Sequence, residues 1–334
     1  MSRFLLRRVL SALLLAFVVA SAGLVLARLA GGDYVSYVFG LGARQQTVEQ
    51  LRIAQGLDRP FLEQYASWVA GLVRLDFGRS LLYQRPVGPL VISRAVNSAV
   101  LAIGALLLAC GLGLPLGVFS GSRSRGFLRQ TVRALSIVGL SVPPLISSLL
   151  LVWMAAVTGW FPIGGMSTLA SPDAGTSLRI RDLLWHLPVP VFALALPLVA
   201  TLERVQSQAM AEALKHPCMT AAAARGASPS RVLWTHALRL SAKTAIAVGG
   251  LLAGVVLSGS FAVELVTAWP GLGRLTYDAL VARDVALVAG CATAGALLVA
   301  FGLLLSDVLL AVVDRRTLEV SEDDTASVLR TMGR

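Results

Sequence analysis

The segment Cys218–Leu238, with the sequence CMTAAAARGASPSRVLWTHAL, lies between long apolar stretches and is the clearest structural signal in the chain. Its four alanines, Ala221–Ala224, favour a helix. Gly226 follows where a left-handed residue typically ends a helix. Ser228 is suited to cap a second helix, with Pro229 in its first turn. The segment therefore predicts two short helices that meet at a defined corner, an arrangement suited to docking another molecule.

The rest of the chain has the composition of a membrane protein. Of its 334 residues, 56% are apolar and 14% are charged, and the mean hydropathy is +0.75. These values are far from those of soluble domains. The apolar stretches are too long for the cores of two soluble domains, but they are long enough to cross a bilayer as helices. We therefore expect an all-α polytopic membrane protein.

The charge and the cysteines exclude other classes. A formal net charge of +11 raises the alternative of binding to nucleic acid or anionic lipid. The arginines, however, cluster at the ends of apolar stretches rather than along one amphipathic face. The three cysteines, Cys110, Cys218 and Cys291, are widely separated along the chain. They predict neither a disulfide framework nor a metal site.

The N-terminus has two interpretations. The pair Arg7-Arg8, the apolar stretch after it and Ala20-Ser21-Ala22 resemble a secretory signal with its cleavage site. The apolar stretch continues to Ala30, however, and a helix of about 22 residues is roughly 33 Å long. Because this length is enough to span a bilayer, we expect an uncleaved anchor.

Six membrane spans are predicted from apolar stretches of helical length. The fourth is the least regular, because Pro188, Pro190 and Pro197 interrupt it and prolines in membrane helices usually mark kinks. The six spans are Val9–Ala30, Val96–Phe119, Val132–Val157, Leu187–Leu202, Ala245–Val263 and Val285–Val313.

Basic residues predict the orientation of these spans. They concentrate in four regions on one side of a six-span chain, whereas the opposite loops are poorer in basic residues or balanced in charge. Both termini and these four regions are therefore expected in the cytoplasm. Four tryptophans fall near the opposite span ends, as in an interfacial belt. The basic regions contain Arg3, Arg7 and Arg8; Arg123, Arg125, Arg129 and Arg133; Lys215, Arg225, Arg231, Arg239 and Lys243; and Arg315 and Arg316.

The connection between the first two spans, residues 31–95, is long and mixed in charge. Thr47–Gly56 is amphipathic, and Arg59–Leu75 carries apolar residues at helical spacing. We expect a small helical insertion on the outer surface. The apolar residues at helical spacing are Phe61, Leu62, Tyr65, Trp68 and Leu72.

The sequence contains no arrangement typical of an enzyme. Its three histidines lack a carboxylate or a cysteine at catalytic spacing, and no phosphate-binding loop of the Walker type is present. Gly111, Gly113 and Gly117 lie in an apolar helix and follow no strand. They therefore predict close helix packing and not dinucleotide binding.

Few ionisable residues lie within or beside the predicted spans. They are Glu203 and Arg204 at the end of span four, Glu264 just beyond span five and Asp307 in span six. Such residues are functional candidates by default. Only Asp307 is deep, and a structural hydrogen bond is the simpler role for it. Because a proton-driven carrier usually needs ionisable groups near the bilayer centre, we expect the energy to come from another chain.

Three interpretations of Cys218–Leu238 compete: a solvated helical loop, a DNA-binding helix-turn-helix and a docking helix for a cytoplasmic partner. Ala222, Gly226, Ser228 and Val232 resemble the spacing of the DNA-binding motif. That motif needs a third supporting helix, and the chain between the flanking spans is too short to provide one. The docking helix fits the polar corner better.

The same segment resembles the EAA loop of the inner-membrane permeases of ABC importers. Further segments, in order over residues 3–316, resemble the permeases of the dipeptide, oligopeptide and nickel group, although Gly31 stands where a proline is usual. These segments are Phe4–Arg8, Leu29–Asp33, Gly56–Pro60, Asp76–Ser80, Gly113–Gly117, Gly139–Pro143, Glu264–Leu275, Arg283-Asp284, Asp307 and Asp314-Arg315.

The resemblance implies the type I ABC importer permease fold in a bacterial inner membrane. It implies a pore formed with a second homologous permease, two cytoplasmic ATPase subunits that bind the ATP, and an extracytoplasmic solute-binding protein. No cofactor is expected in this chain. The loop would insert a coupling helix into a groove on the ATPase through Thr220, Ala221, Ala222, Ala223, Ala224, Arg225, Gly226, Ser228 and Pro229.

Two details qualify this picture. Thr220 and Ala223 stand where the family commonly has basic side chains, and Cys218 replaces a usual aromatic residue. These differences are expected to affect how strongly the loop binds the ATPase, or which ATPase it binds.

Residues just before span six are expected to gate the pathway or to contact the solute. The alternative is that they form a structural turn. These residues are Glu264, Trp269, Pro270, Gly271 and Gly273.

We therefore expect a permease subunit without an ATPase site that imports di- or oligopeptides. Nickel chelates, glutathione-like peptides and opines are alternative solutes. A secondary carrier and a membrane-anchored DNA-binding regulator are alternatives from other classes. The expected organisation is span one with its insertion (1–95), a five-span core (96–313) with the coupling loop at about 206–243, and a cytoplasmic tail (314–334).

Overall fold

The computed structural model describes residues 2–29, 31–39, 45–54, 57–122, 126–168 and 175–313. These residues form α-helices joined by turns, with one isolated antiparallel bridge between Arg79 and Pro86. The all-α class is confirmed. The helices are α1 Ser2–Leu29, α2 Tyr34–Phe39, α3 Gln45–Ala54, α4 Phe61–Val73, α5 Val87–Ser122, α6 Phe127–Ser141, α7 Pro144–Thr158, α8 Thr176–His186, α9 Pro188–Ala213, α10 Pro217–Ala224, α11 Pro229–Arg231, α12 Leu238–Val266, α13 Leu272–Val281 and α14 Val285–Val313.

Four helices, α1, α5, α9 and α14, are each long and apolar enough to cross a membrane. Two bent helix pairs raise the number to six if each pair is one span. One pair is α6 with α7, and the other runs from Pro229 to Val266 with a 53° bend between Gly249 and Gly254. The described chain is therefore compatible with the six predicted spans.

The third span is not the single helix that the apolar stretch Val132–Val157 predicts. Helices α6 and α7 meet at an angle of 102°, and Val142 between them has extended backbone angles. Two consecutive prolines, Pro143 and Pro144, explain the break. Proline lacks the N–H that continues a helix, and it disfavours helical angles in the residue before it.

Two helices extend beyond the spans predicted from hydropathy. Helix α5 begins at Val87 and not at Val96, so residues 87–95 of the predicted insertion belong to a long continuous helix. Helix α9 continues past Leu202 to Ala213. Pro188 and Pro190 lie in its first turn, where a missing N–H costs nothing, and Pro197 is accommodated within the helix.

The helices form two compact units. The core unit contains Leu101–Thr267 and the described residues from 299 onward, and the insertion unit contains Leu6–Val100 and Ala268–Leu298. In the core unit α9 packs against α6, α7 and α12. Helix α5 also approaches α9 closely, since a Cβ at Gly113 would lie 2.8 Å from the Val199 carbonyl oxygen.

The glycines of α5 confirm the predicted close packing at two of three positions. A Cβ at Gly117 would lie 2.7 Å from the carbonyl oxygen of Glu203, and one at Gly121 would lie 2.5 Å from that of Ser207. Gly113 makes a similar approach. Gly111 does not, because a Cβ there would have no atom within 4 Å. Residues 113, 117 and 121, each four apart, therefore form the stripe of α5 that faces α9.

The insertion unit is helical, as its amphipathic pattern predicts. Phe17 of α1 stacks on Trp68 of α4 with ring centroids 6.4 Å apart, and the hydroxyls of Ser21 and Tyr65 lie 3.0 Å apart. Leu62 is 77% exposed and does not share the face formed by the aromatic residues. The buried core of the unit lies elsewhere, among Val87, Val91, Leu272, Leu275, Ala279, Leu287, Val288 and Cys291.

Asp33 links α2 to α3 in the insertion unit. Its carboxylate accepts hydrogen bonds from the backbone N–H of Ser36 at 2.9 Å and from Arg52 Nε at 2.6 Å. Burial opposes ionisation of Asp33, but the hydrogen bonds from Arg52 and Ser36 outweigh it, so the pKa of this carboxyl is lower than usual.

Of the residues named from the sequence, Ala30, Gly56, Arg123, Arg125 and Asp314–Arg316 lie outside the described residues.

Candidate functional site

The predicted docking segment is anchored by a small apolar core. Met219 and Ala222 of α10 are each 4% exposed. Met219 packs in one cluster with Val118 of α5, Met210 and Ala213 of α9, and Ala237. Helix α10 thus turns two of its side chains onto the core unit and leaves the others outside. The contacts fix the position of a helix that is too short to be stable alone.

The beginning of α10 is capped by a residue that the sequence analysis did not single out. His216 is the N-cap, and its Nδ1 accepts a hydrogen bond from the backbone N–H of Cys218 at 3.4 Å. Pro217 occupies the first helical position, where no N–H is required. The signal was the pair His216-Pro217, because proline is common at the first position of a helix.

The corner at the end of α10 forms as predicted. Gly226 has a φ of +84°, in the left-handed region. The N–H of Gly226 donates to the carbonyl oxygen of Ala223 at 2.9 Å, and the N–H of Ala227 donates to that of Ala222 at 3.1 Å. This pair of bonds is the Schellman motif, which ends a helix while satisfying its last carbonyl groups. Arg225 is the C-cap residue.

The second helix starts as predicted but does not remain short. Ser228 is its N-cap and accepts a hydrogen bond from the N–H of Arg231 at 3.3 Å, and Pro229 follows at the first position. A π-helical turn, Val232–Ala237, then joins α11 directly to α12. The prediction of a separate short helix is therefore wrong, because no residue between Arg231 and Leu238 interrupts the helical hydrogen bonding. The corner is the foot of a helix that continues to Val266.

The exposed surface of the corner combines small residues around Gly226 with Arg225, Arg231 and Trp234. A Cβ added at Gly226 would meet no atom within 4 Å, so the chain leaves this position open. Trp234 is 53% exposed beside it. We call the exposed residues the corner surface, and its members are Thr220, Ala221, Ala223, Ala224, Arg225, Gly226, Ser228, Pro229, Ser230, Arg231 and Trp234.

The predicted gate residues after α12 form a well-bonded turn in the insertion unit. Trp269 is fully buried, and its Nε1 donates to the carbonyl oxygen of Asn97 at 3.1 Å. Asn97 Nδ2 donates in turn to the Pro270 carbonyl oxygen at 2.8 Å. The N–H of Gly271 donates to the Trp269 carbonyl oxygen at 2.8 Å, which closes the turn. Gly273 lies two residues later, in the first turn of α13, and is half-buried.

Glu264 and Asp307, two of the ionisable residues singled out from the sequence, lie in the core unit. Glu264, which follows directly after the predicted fifth span, is fully buried in the last turn of α12. Asp307 lies within α14 and is half-buried. The hydroxyl of its neighbour Ser306 donates to the carbonyl oxygen of Ile246 at 3.2 Å, which connects α14 to α12.

Glu203, which the sequence predicts at the end of span four, is a fully buried polar residue beside α5. Glu203 is 0% exposed within α9, and Ser120 of α5 donates a hydrogen bond to its Oε1. Its Oε2 has no partner, and neither do the buried Ser207 Oγ and Gln206 Oε1. Nε2 of Gln206 donates to Ser241 Oγ of α12 at 2.9 Å. The stripe of glycines on α5 was the available signal, since it permits polar side chains of α9 to be enclosed.

Within the described residues, no group of three or more His, Cys, Asp or Glu side chains is placed to hold a metal ion. Three features of the described residues are candidates for a functional role. They are the exposed corner, the buried polar cluster on α9 and the helices of membrane-spanning length.

Comparison with known proteins identifies two family matches. Residues 113–319 match the family described as binding-protein-dependent transport system inner membrane component. Residues 1–93 match the N-terminal region described for membrane components of the same transport systems. The first match contains α9, the corner and α12.

Relatives match over almost the full length. The oligopeptide transport system permease protein AppB of Bacillus subtilis is 31% identical over 318 residues, which cover 95% of this chain and 99% of the relative. A putative peptide transport system permease protein of Brucella suis is 32% identical over the same shares of the two chains. A probable peptide ABC transporter permease of Sinorhizobium fredii is 30% identical over 86% of this chain and 90% of its own length.

Proposed function

Because the chain belongs to the family of binding-protein-dependent transport system inner membrane components, we propose that it is a permease subunit of an ABC importer for di- or oligopeptides. It forms part of the translocation pathway. The membrane-spanning helices supply the scaffold, and the names of the full-length relatives support peptides as the solute class.

The corner surface is the part of this chain that receives energy from an ATPase. The single observation that carries this assignment is the anchored corner, in which Met219 and Ala222 are buried while Gly226 is left open. A helix end closed by two hydrogen bonds transmits a displacement, whereas a flexible loop absorbs it. The helical segment that begins at Pro229, and that bends by 53° between Gly249 and Gly254, then carries the movement through the core unit.

The partners follow from the transport system to which the family belongs. We propose that the chain pairs with a second homologous permease, that two ATPase subunits bind the ATP, and that a solute-binding protein delivers the peptide. The distribution of basic residues supports cytoplasmic termini and a cytoplasmic corner surface, with the helical insertion on the opposite side of a bacterial inner membrane.

The turn that contains Trp269 and Gly273 is proposed to take part in gating on the side where the solute arrives. Its hydrogen bonds to Asn97 tie the start of α13 to α5. A shift of α5 therefore moves the turn as one body. In this proposal Glu264 lies at the helix end that precedes the turn, and Asp307 supports α14 within the membrane.

Reconstitution tests the proposal. The permease, its partner permease and the ATPases are placed in proteoliposomes, and uptake of a labelled tripeptide is measured with the solute-binding protein outside. We expect uptake that requires ATP and the binding protein and that persists when a protonophore is present. Uptake that is abolished by the protonophore but survives ATP depletion would identify a secondary carrier and refute the assignment.

A further inference from the structure

A cavity beside α9 is lined by Glu203 and Ser207, two residues that each have a buried polar atom without a hydrogen-bond partner. Its volume is about 280 Å³, and we call it the α9 cavity. This volume is several times the roughly 30 Å³ that one water molecule occupies. Its lining residues are Arg133, Ile137, Glu203, Arg204, Ser207 and Gln208.

The floor of the cavity is polar and unsatisfied. Glu203 is 0% exposed and Ser207 is 3% exposed. Glu203 Oε1 accepts from Ser120, but Glu203 Oε2 and Ser207 Oγ have no hydrogen-bond partner. A buried acceptor without a donor is costly, and the cost is greater for a carboxylate than for a neutral group. A ligand that donates hydrogen bonds here would remove this cost.

The rim of the cavity carries the opposite charge. Arg133 of α6 and Arg204 of α9 both line it and are exposed. Guanidinium groups recognise carboxylates and carbonyl oxygens, and they repel a bare cation. A bare anion is disfavoured by the carboxylate of Glu203. One carboxylate and one hydroxyl are also too few oxygen ligands for a calcium or magnesium ion.

The arrangement therefore fits a ligand that carries both charges. We propose that the α9 cavity is a subsite for the end of a zwitterionic peptide on the translocation pathway. Glu203 and Ser207 accept the peptide's α-ammonium group, and Arg133 and Arg204 face its carboxylate or carbonyl oxygens. This inference rests on the proposed function, because it takes the transported peptide as the ligand.

A cysteine placed in the cavity reports its occupant without requiring transport. Ser207→Cys is introduced into the assembled importer after the three native cysteines are replaced by alanine. The rate at which a thiol-specific reagent modifies residue 207 is then measured with and without trialanine or N-acetyl-trialanine. We expect trialanine to slow the modification, and N-acetyl-trialanine to need about tenfold higher concentration, because one charge-assisted hydrogen bond is lost.

Two variants decide whether Glu203 is responsible. Glu203→Gln is expected to remove the roughly tenfold preference for the free amine. Glu212→Gln is the matched control, since Glu212 is exposed on the same helix and does not line the cavity. If Ser207→Cys prevents assembly, Gln208→Cys serves instead, because Gln208 lines the same cavity.

Three results would overturn the proposal while wild-type peptide uptake remained intact. The first is an absence of protection by either peptide. The second is equal protection by both. The third is protection by a lipid and not by peptide. In that case vesicles that contain phosphatidylethanolamine would slow the modification, whereas vesicles of phosphatidylglycerol alone would not. The occupant would then be a lipid headgroup. Failure of the proposed function would appear separately, as loss of wild-type uptake.

Discussion

The N–H of Ala227 donates to the carbonyl oxygen of Ala222 at 3.1 Å across the left-handed Gly226. Ala222 is also buried against the core unit, so one residue both closes the corner and anchors it. The position of the corner surface is therefore fixed from within the chain. Consequences for coupling follow from this relationship.

We expect Gly226→Asp to abolish peptide uptake while the amount of importer in the membrane stays normal. Aspartate tolerates left-handed angles better than most residues, and its side chain has open space in this chain. The added carboxylate therefore acts on the docked ATPase and not on the fold. Uptake and ATPase stimulation by the loaded binding protein are measured together.

Gly165→Asp is the matched control for this substitution. Gly165 has the same φ of +84° and the same open surroundings, but it lies in a different loop of the core unit. Uptake by this variant is expected to stay near the wild-type level. Normal uptake in the Gly226→Asp variant would contradict the docking role of the corner.

We expect Met219→Ala to uncouple ATP hydrolysis from transport. Met219 packs against Val118, Met210 and Ala213, and truncation of a buried methionine typically costs about 2–5 kcal/mol. The corner would then lose its fixed position although its exposed residues are unchanged. Met219→Leu keeps the volume and is expected to couple nearly normally. Comparable coupling ratios in both variants would show that anchoring is not needed.

We expect Gly117→Val to destabilise the core unit by about 1–3 kcal/mol. A Cβ at this position would lie 2.6 Å from Gln206 Cβ and 2.7 Å from the Glu203 carbonyl oxygen, so α5 and α9 must separate. Gly111→Val is the control on the same helix, because a Cβ there meets nothing within 4 Å. Thermal unfolding in detergent should distinguish the two, and equal midpoints would argue against the close approach.

The Asp33–Arg52 ion pair gives the insertion unit a pH-dependent contribution to stability. Its lowered pKa means that ionised Asp33 stabilises the folded state above the ordinary value of 3.8, and that this contribution is lost as pH falls through the lowered value. We expect Arg52→Gln to lower stability at pH 7 by up to about 1 kcal/mol. The difference from wild type should vanish in strong acid.

The control for this pair is Glu49→Gln, because Glu49 lies 3.6 Å from Arg52 but is 61% exposed. Its effect on stability is expected within about 0.5 kcal/mol at any pH. Limited proteolysis of the insertion across a pH series measures both variants. A difference between Arg52→Gln and wild type that grows as pH falls would be the wrong sign for this explanation.

The gating proposal predicts a contact between the Trp269–Gly273 turn and the delivery protein. Pro270 and Gly273 are half-buried, whereas Trp269 is enclosed, so cysteines at 270 and 273 are the accessible probes. We expect them to crosslink to the solute-binding protein in at least one nucleotide state of the importer. Absence of a product in every state would leave the turn a purely structural element.

The corner was predictable because its signals are local. Helix propensity, Gly226 and the Ser228-Pro229 pair each act within a few residues, and the structure contains all of them as expected. The continuation of the second helix into α12 is not predictable in this way, because the polar residues up to Leu238 have the composition of a loop. The hydrogen bonds of a helix can continue from a polar segment into an apolar one, so a change in polarity does not mark the end of the helix.

The burial of Glu203 and the broken third span needed information that hydropathy does not carry. The charged pair Glu203-Arg204 predicts the end of span four, yet the glycine stripe on α5 encloses Glu203 while Arg204 remains exposed. The break before Pro144 was visible as a Pro-Pro pair, but the apolar stretch continued across it. In both cases residue-level packing, and not average hydropathy, determines the structure.

At the bend around Gly226 the corner surface offers mainly main chain and the methyl groups of Ala223 and Ala224. On the proposed docking, an ATPase recognises the shape of this bend and tolerates replacement of side chains such as Thr220 and Ala223. Subunit exchange between related importers should then depend on the left-handed bend at Gly226 and on the anchor beneath it. Related importers would then keep compatible subunits as long as the backbone of the corner is unchanged, even where the side chains around it differ.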